Sequence, residues 1–332
     1  MEKEILVETV SRLMRIPKGI LAIDESVETI EKRFTDIGIF SEAEIRREYR
    51  ELLITTPGIE KYISGFILHE ETLGQSDKNG KSFVSILESK GIDVGIKVDE
   101  GLLPLKENSL EKITNGIKDL RERLSEYKKA GATFAKWRAV YLIGENTPTE
   151  ECMKENAVLL AQYASLCQEF DIVPIIEPEI LMDGDHDINK DYEITARNLD
   201  IVFSELIKRE VFIPGVVLKI NMILPGKDKK EKAGTRKIAE MTLKCLKEHV
   251  PSYIGGIVFL SGGQDDREAT INLNEMHKMG PLPWTLTFSY SRAIQNKVMK
   301  FWSENMEDII SSQKILLDVS RENSLASVGE FK

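Results

Sequence analysis

Cysteine and imidazole are scarce in this chain. Its 332 residues include three cysteines and four histidines. Cys152, Cys167 and Cys245 have neither CxxC nor paired spacing, which argues against a disulfide framework and for a reducing compartment. The histidines His69, His186, His249 and His277 are scattered, with no HExxH pair and no Ser-His-Asp or Cys-His arrangement. Positive charge is in the minority, at 45 Lys and Arg against 55 Asp and Glu, for a formal net charge of -10 at pH 7. That balance disfavours non-specific attraction to nucleic acid or an anionic membrane, so an anionic ligand needs a locally basic pocket. No apolar run approaches the length of a membrane span, and no low-complexity tract interrupts the chain. The opening MEKEILVETVSRLMRIPKG has acids where a signal peptide has bases. The expectation is a cytoplasmic protein with no nucleic-acid or membrane partner.

What the chain does contain is alternation. Eight short apolar runs recur, GILAID (19 to 24), ISGFIL (63 to 68), DVGIKV (93 to 98), TFAKWR (133 to 138), IVPIIEPE (172 to 179), GVVLKINM (215 to 222), IGGIVFLSG (254 to 262) and LTFSYSR (286 to 292). Near-continuous apolar strands suit a parallel sheet that is covered on both faces. Helical patterns lie between them: SEAEIRREYRELLI, IKDLRERLSEYKKAG, and a long segment after Thr147, Pro148 and Glu150, which read as a capping box with proline in the first helical position. Ile5, Leu6, Val10, Leu13 and Met14 predict an amphipathic helix ahead of the first strand, residues 25 to 62 two helices, and residues 293 to 325 a helical C-terminal tract. Eight alternations predict a (β/α)8 TIM barrel of one domain over residues 1–332, with extra helices at both termini and an active site at the C-terminal strand ends. A doubly wound open sheet is the alternative.

Those strand ends are polar. Asp24, His69 with Glu70, Lys97, Lys136 with Arg138, Glu177 with Glu179, Lys219 with Asn221, Ser261, and Ser289 with Arg292 close or follow the eight runs. Strand residues two apart share a face, so Lys136 and Arg138, Glu177 and Glu179, and Lys219 and Asn221 pair by direction. A lysine ammonium is no nucleophile at neutral pH, but desolvation and a second cation free the amine. That makes Lys219 the candidate nucleophile and Lys136 the second cation. Such an amine condenses with a ketone, and the protonated imine stabilises carbanion character on the adjacent carbon. Glu177 is the candidate proton shuttle, and Asp24 the base for a substrate hydroxyl. SGGQ after the seventh run and Arg292 after the eighth fit the recurrent phosphate site of such barrels. DGDHD (Asp183 to Asp187) clusters possible metal ligands, but fails EF-hand spacing and reads as a solvated or structural loop.

Taken together, these segments resemble class I fructose-1,6-bisphosphate aldolases. GILAIDES is similar to the family's GILAADES, GIKVDEG to GIKVDKG, FAKWR to FAKWR, and IVPIIEPEIL with DGDHD to IVPIVEPEIL with DGDHD. VVLKINM, FLSGGQ, INLN, WTLTFSYSRA and NSLA match in order, so the likeness runs from about residue 19 to 330. The resemblance implies Lys219 as the Schiff-base lysine, Glu177 as acid/base for carbinolamine dehydration, and Lys136 as its assistant. It implies Asp24 as the group acting on the C4 hydroxyl and Glu179 as an orienting carboxylate. Ser261, Gly262, Ser291 and Arg292 align with the C1-phosphate pocket, and Ser26, Lys97 and Arg138 lie near the opposite phosphate. It further implies metal-independent, reversible cleavage of fructose 1,6-bisphosphate to dihydroxyacetone phosphate and glyceraldehyde 3-phosphate, in glycolysis and gluconeogenesis. No cofactor is needed, and the implied assembly is a homo-oligomer, a tetramer by family habit. An epimeric substrate such as tagatose 1,6-bisphosphate, or a catalytically idle phosphosugar-binding scaffold, are the alternatives.

The chain departs from animal-type relatives at four places. Ile220 stands for a proline after the Schiff-base lysine, Ser291 for a glycine before the phosphate-binding arginine, and Val27-Glu28 for a threonine-glycine pair. The sequence ends at NSLASVGEFK, without the tyrosine tail that helps protonate the enamine in vertebrate-type enzymes. The expectation is a bacterial or protist-type member in which Glu177 moves that proton, or in which the step is slow.

Overall fold

The computed structural model describes residues 2–332. All eight runs form strands: β1 Gly19–Ile23, β2 Ile63–Leu68, β3 Asp93–Lys97, β4 Phe134–Leu142, β5 Val173–Leu181, β6 Val217–Ile220, β7 Gly256–Phe259 and β8 Leu286–Tyr290. They pair in parallel in chain order, and β8 closes on β1, giving the expected (β/α)8 barrel rather than an open sheet. Closure explains the apolar runs. Helices cover the outer face, the interior is filled by its own side chains, and the strands are buried almost throughout.

The interior core is built at the N-terminal ends of the strands. Ile20, Ile67, Phe134, Val173, Val217 and Val258 point inward, and the mouth below them is plugged by Leu6, Val10 and Leu13 of the first helix, Lys3–Leu13, and by Met14 at its C-cap. Phe134 takes the space of missing side chains, because a Cβ at Gly95 would collide with its ring. Arg12 pins the plug to β3 through a two-pronged contact with Asp93, at 2.8 and 3.0 Å. With this end sealed, the opposite end remains open for chemistry.

The helices follow the predicted pattern, with three differences. The helix Glu150–Glu169 starts later than expected: its cap is Thr149, whose hydroxyl accepts from Cys152 N–H, and Pro148 lies ahead of the cap. The cause is tertiary, since Glu111 accepts from both the backbone N–H (2.6 Å) and hydroxyl (2.8 Å) of Thr149 and sets where the helix begins. The C-terminal tract is two helices, Arg292–Glu304 and Ile309–Ala326, the second capped by Asp308. A small antiparallel hairpin, Leu102–Pro104 with Lys112–Thr114, follows β3 and has no counterpart in the expected pattern. Its strands are three residues each, too brief for a periodicity signal. Residues 25 to 62 hold the two expected helices, Val27–Thr35 and Ala43–Thr55. No helix among the described residues is long and apolar enough to cross a membrane.

Candidate active site

A cavity of about 970 Å³ opens at the C-terminal ends of the strands. Every residue singled out for the site lines it: Asp24 and Ser26 after β1, Lys97 on β3, Lys136 and Arg138 on β4, Glu177 and Glu179 on β5, Lys219 on β6, Ser261 and Gly262 after β7, Ser291 and Arg292 after β8. Parallel pairing sets their heights. Lys97 is level with Lys136, and Arg138 with Glu177, so the charges form a tier above the apolar plug. Asn221 is the exception among the strand-end residues. β6 ends at Ile220, and the Asn221 amide instead exchanges hydrogen bonds with the Ile180 backbone (2.8 and 2.9 Å), extending the β5–β6 seam.

Glu177 sits at the centre of the tier. Its Oε1 lies 3.2 Å from Lys219 Nζ, and its Oε2 lies 3.1 Å from Lys136 Nζ. Lys136 Nζ also reaches Asp24 Oδ2 at 2.8 Å. All four side chains are buried. Burial pushes the Asp24 carboxyl up, but the ammonium groups of Lys136, Lys219 and Lys97 outweigh it and hold the group well below the usual carboxylate range. Glu177 is likewise lowered, with burial opposed by Lys136, Lys219 and Arg138. For Lys136, burial works against the cation while Asp24, Glu177 and Asp99 hold it well above the ordinary lysine value. Lys136, the expected second cation, is thus held charged, and it shares Glu177 with Lys219. Lys136 is a charged hub balanced by two carboxylates, and Glu177 is the direct neighbour of Lys219.

Around this centre the cavity presents cationic side chains at two places. Arg292 makes no hydrogen bond or ion pair with the described residues, and Gly262 leaves room beside it: a Cβ there would come within 3.5 Å of both Arg292 Nη2 and Glu179 Oε1. The buried Ser289 hydroxyl lines the same side without a partner among the described residues. Ser291 is tied down, donating to Glu25 Oε1 at 2.7 Å and accepting from Gln295 at 2.9 Å. Across the cavity Lys97 bonds Asp99 at 2.7 Å, and Arg138 pairs with Glu179.

Sequence reading missed part of the wall. Glu25 is a buried carboxylate that gathers Arg33, Arg50 (2.8 Å) and Ser291, while Lys32 and Arg33 reach the cavity from the helix Val27–Thr35. Their only signal was a Lys-Arg pair on an amphipathic helix, which ordinarily marks a solvated face. DGDHD stays outside the cavity and is a clasp: Asp183 pairs with Lys227, the Gly184 and His186 carbonyls accept from the backbone N–H groups of Asp228 and Gly226 in the loop after β6, and Asp187 caps the helix Ile188–Lys208. Among the described residues, no group of three or more His, Cys, Asp and Glu side chains is placed to hold a metal ion. The three cysteines are free and buried.

Comparison with known proteins agrees with this geometry. A family model described as "Fructose-bisphosphate aldolase class-I" matches residues 5–332. The chain is 48% identical over 333 residues to "Probable fructose-bisphosphate aldolase class 1" of Xanthomonas campestris pv. campestris, with both chains fully covered. It is 46% identical to "Fructose-bisphosphate aldolase 4, cytosolic" of Arabidopsis thaliana, covering 95% of this chain and 80% of that one. A solved structure of fructose-bisphosphate aldolase from Plasmodium falciparum superposes with a TM-score of 0.97 at 44% identity, over 99% of this chain and 95% of that one. With sequence and fold alike over their whole length, the chain belongs to the class I fructose-bisphosphate aldolase family.

Proposed function

We propose that this protein reversibly cleaves fructose 1,6-bisphosphate to dihydroxyacetone phosphate and glyceraldehyde 3-phosphate through an imine on Lys219. The observation that carries this is the buried contact of Lys219 Nζ with Glu177 Oε1 at 3.2 Å, inside a cavity with cations at both ends. The Lys219 amine adds to the C2 carbonyl. Glu177, within reach of that nitrogen, delivers and removes the protons that turn the carbinolamine into a protonated imine and water. Asp24, held ionised by Lys136, takes the proton from the C4 hydroxyl. As that O–H bond breaks, the C4 carbonyl forms, the C3–C4 pair flows into the imine, and glyceraldehyde 3-phosphate departs. Protonation of the enamine at C3 by Glu177 and hydrolysis of the imine release dihydroxyacetone phosphate. Glu179 orients Arg138. Ser261, Gly262, Ser291 and Arg292 take the C1 phosphate, while Ser26, Lys97 and Arg138 face the phosphate of the aldehyde half. The same reading treats residues 1–332 as one barrel domain in a cytoplasmic homotetramer, and light scattering on the purified protein tests the subunit number.

Incubation with dihydroxyacetone phosphate and borohydride, with chelator throughout, followed by peptide mapping, tests the imine. A reduced adduct on Lys219 is the expected result. A folded, phosphosugar-binding protein that forms no adduct there would overturn the assignment and favour an idle binder.

A further inference from the structure

His69 has no part in the roles above, yet it lines the cavity beside Asp24, Ser26 and Lys97, directly after β2. The Glu71 backbone N–H donates to its Nδ1 at 3.4 Å, so the ring proton sits on Nε2. Nε2 makes no hydrogen bond with the described residues. Burial foremost, then the cations Lys97 and Arg50, hold the imidazole below its ordinary pKa, with Asp24 and Glu71 opposing them. Glu28 also faces it from the helix Val27–Thr35. In the free protein at neutral pH, His69 is therefore a neutral ring with one N–H available at the end of the cavity that holds Lys97.

We propose that His69 is a further contact for the phosphate of the aldehyde half, and that it takes up a proton from solvent when this phosphate binds. The inference rests on the assignment of Ser26, Lys97 and Arg138 to that phosphate. A phosphate dianion placed among these groups brings negative charge that offsets Lys97, so the charged imidazolium becomes the favoured form and the neutral donor becomes a charge-assisted one. In the empty site the neutral ring adds nothing to the repulsion among the cations. A substrate lacking the second phosphate gains neither the hydrogen bond nor the added charge, which makes His69 a determinant of bisphosphate preference.

The test compares kcat/KM for fructose 1,6-bisphosphate and fructose 1-phosphate from about pH 8 to about pH 6, across the imidazole range. It uses wild type, His69→Asn and Arg138→Ala. Asparagine retains an acceptor for Glu71 N–H but does not titrate, so capping and charge are separated. His69→Asn is expected to lose about tenfold more with the bisphosphate than with the monophosphate. Wild type's bisphosphate preference is expected to rise relative to the variant's as pH falls. Equal losses on both substrates, or parallel pH profiles, would overturn the proposal. If Arg138→Ala discriminates between the substrates and His69→Asn does not, only the His69 inference fails. If neither discriminates, the assignment of this end to the second phosphate fails with it.

Discussion

Lys219 and Glu177 face each other across 3.2 Å in the barrel, with side chains 5% and 4% exposed. Water has little access to this pair, so the carboxylate is the group at hand to exchange protons with the amine. Glu177→Gln keeps the shape and removes the exchange. A fall in kcat of about 10²- to 10⁴-fold is expected, with Lys219 still trapped slowly by borohydride. Wild-type turnover in the variant would assign the proton transfers elsewhere.

Lys136 balances Asp24 at 2.8 Å and Glu177 at 3.1 Å. Lys136→Met leaves two buried carboxylates without their shared cation, at a cost of about 3–5 kcal/mol to stability. The sign on activity follows from the same charges: without the cation both carboxyl groups rise in pKa, so the acidic limb of the kcat profile moves to higher pH. An unmoved limb would mean that these carboxylates do not set it.

The Arg292 side chain has no hydrogen-bond or ion-pair partner among the described residues and lines the cavity beside Gly262. Loss of a bidentate contact to phosphate, at about 1.5–3 kcal/mol for a charged hydrogen bond, predicts a KM for the bisphosphate about ten- to a hundredfold higher in Arg292→Ala. An unphosphorylated ketose should be affected much less. Equal losses on both would remove the phosphate role.

Asp191 is fully buried below the loop after β6, accepting from Leu224 N–H at 2.7 Å and the Thr195 hydroxyl at 3.2 Å. Burial pushes its pKa from 3.8 up to about 7. The unfolded chain therefore releases this proton first. Stability is lost as pH rises from about 4 to about 7 and is level above that, by up to about 4 kcal/mol. Asp191→Asn does not titrate, so urea unfolding across this range should show the variant gaining on wild type as pH rises. A constant gap between the two would contradict the shift.

Phe134 fills the barrel interior where Gly95 has no side chain. Phe134→Ala opens a cavity above the plug, and an unfolding free energy lower by about 3–5 kcal/mol is expected from denaturant melts. A loss below about 1 kcal/mol would mean that the plug helix collapses into the space.

Much of this protein is legible in one dimension. Eight apolar runs fixed the strands because a covered parallel sheet demands them, and reading each run to its end found Asp24, Lys136, Glu177 and Lys219, since barrel strands point successive polar residues into one mouth. What spacing does not encode is distance between strands. Only closure of the barrel set Glu177 between two lysines and made Lys136 a balanced hub, because register and tilt decide which charges meet. Glu25, Lys32 and Arg33 were invisible for a related reason: a helix face that looks solvated turns toward the cavity only after the barrel places it there. The sequence by itself determined which chemical groups reach the open end. The tertiary structure decided their partners, and with them their charge states, because electrostatic coupling depends on ångström separations and burial that no linear pattern carries.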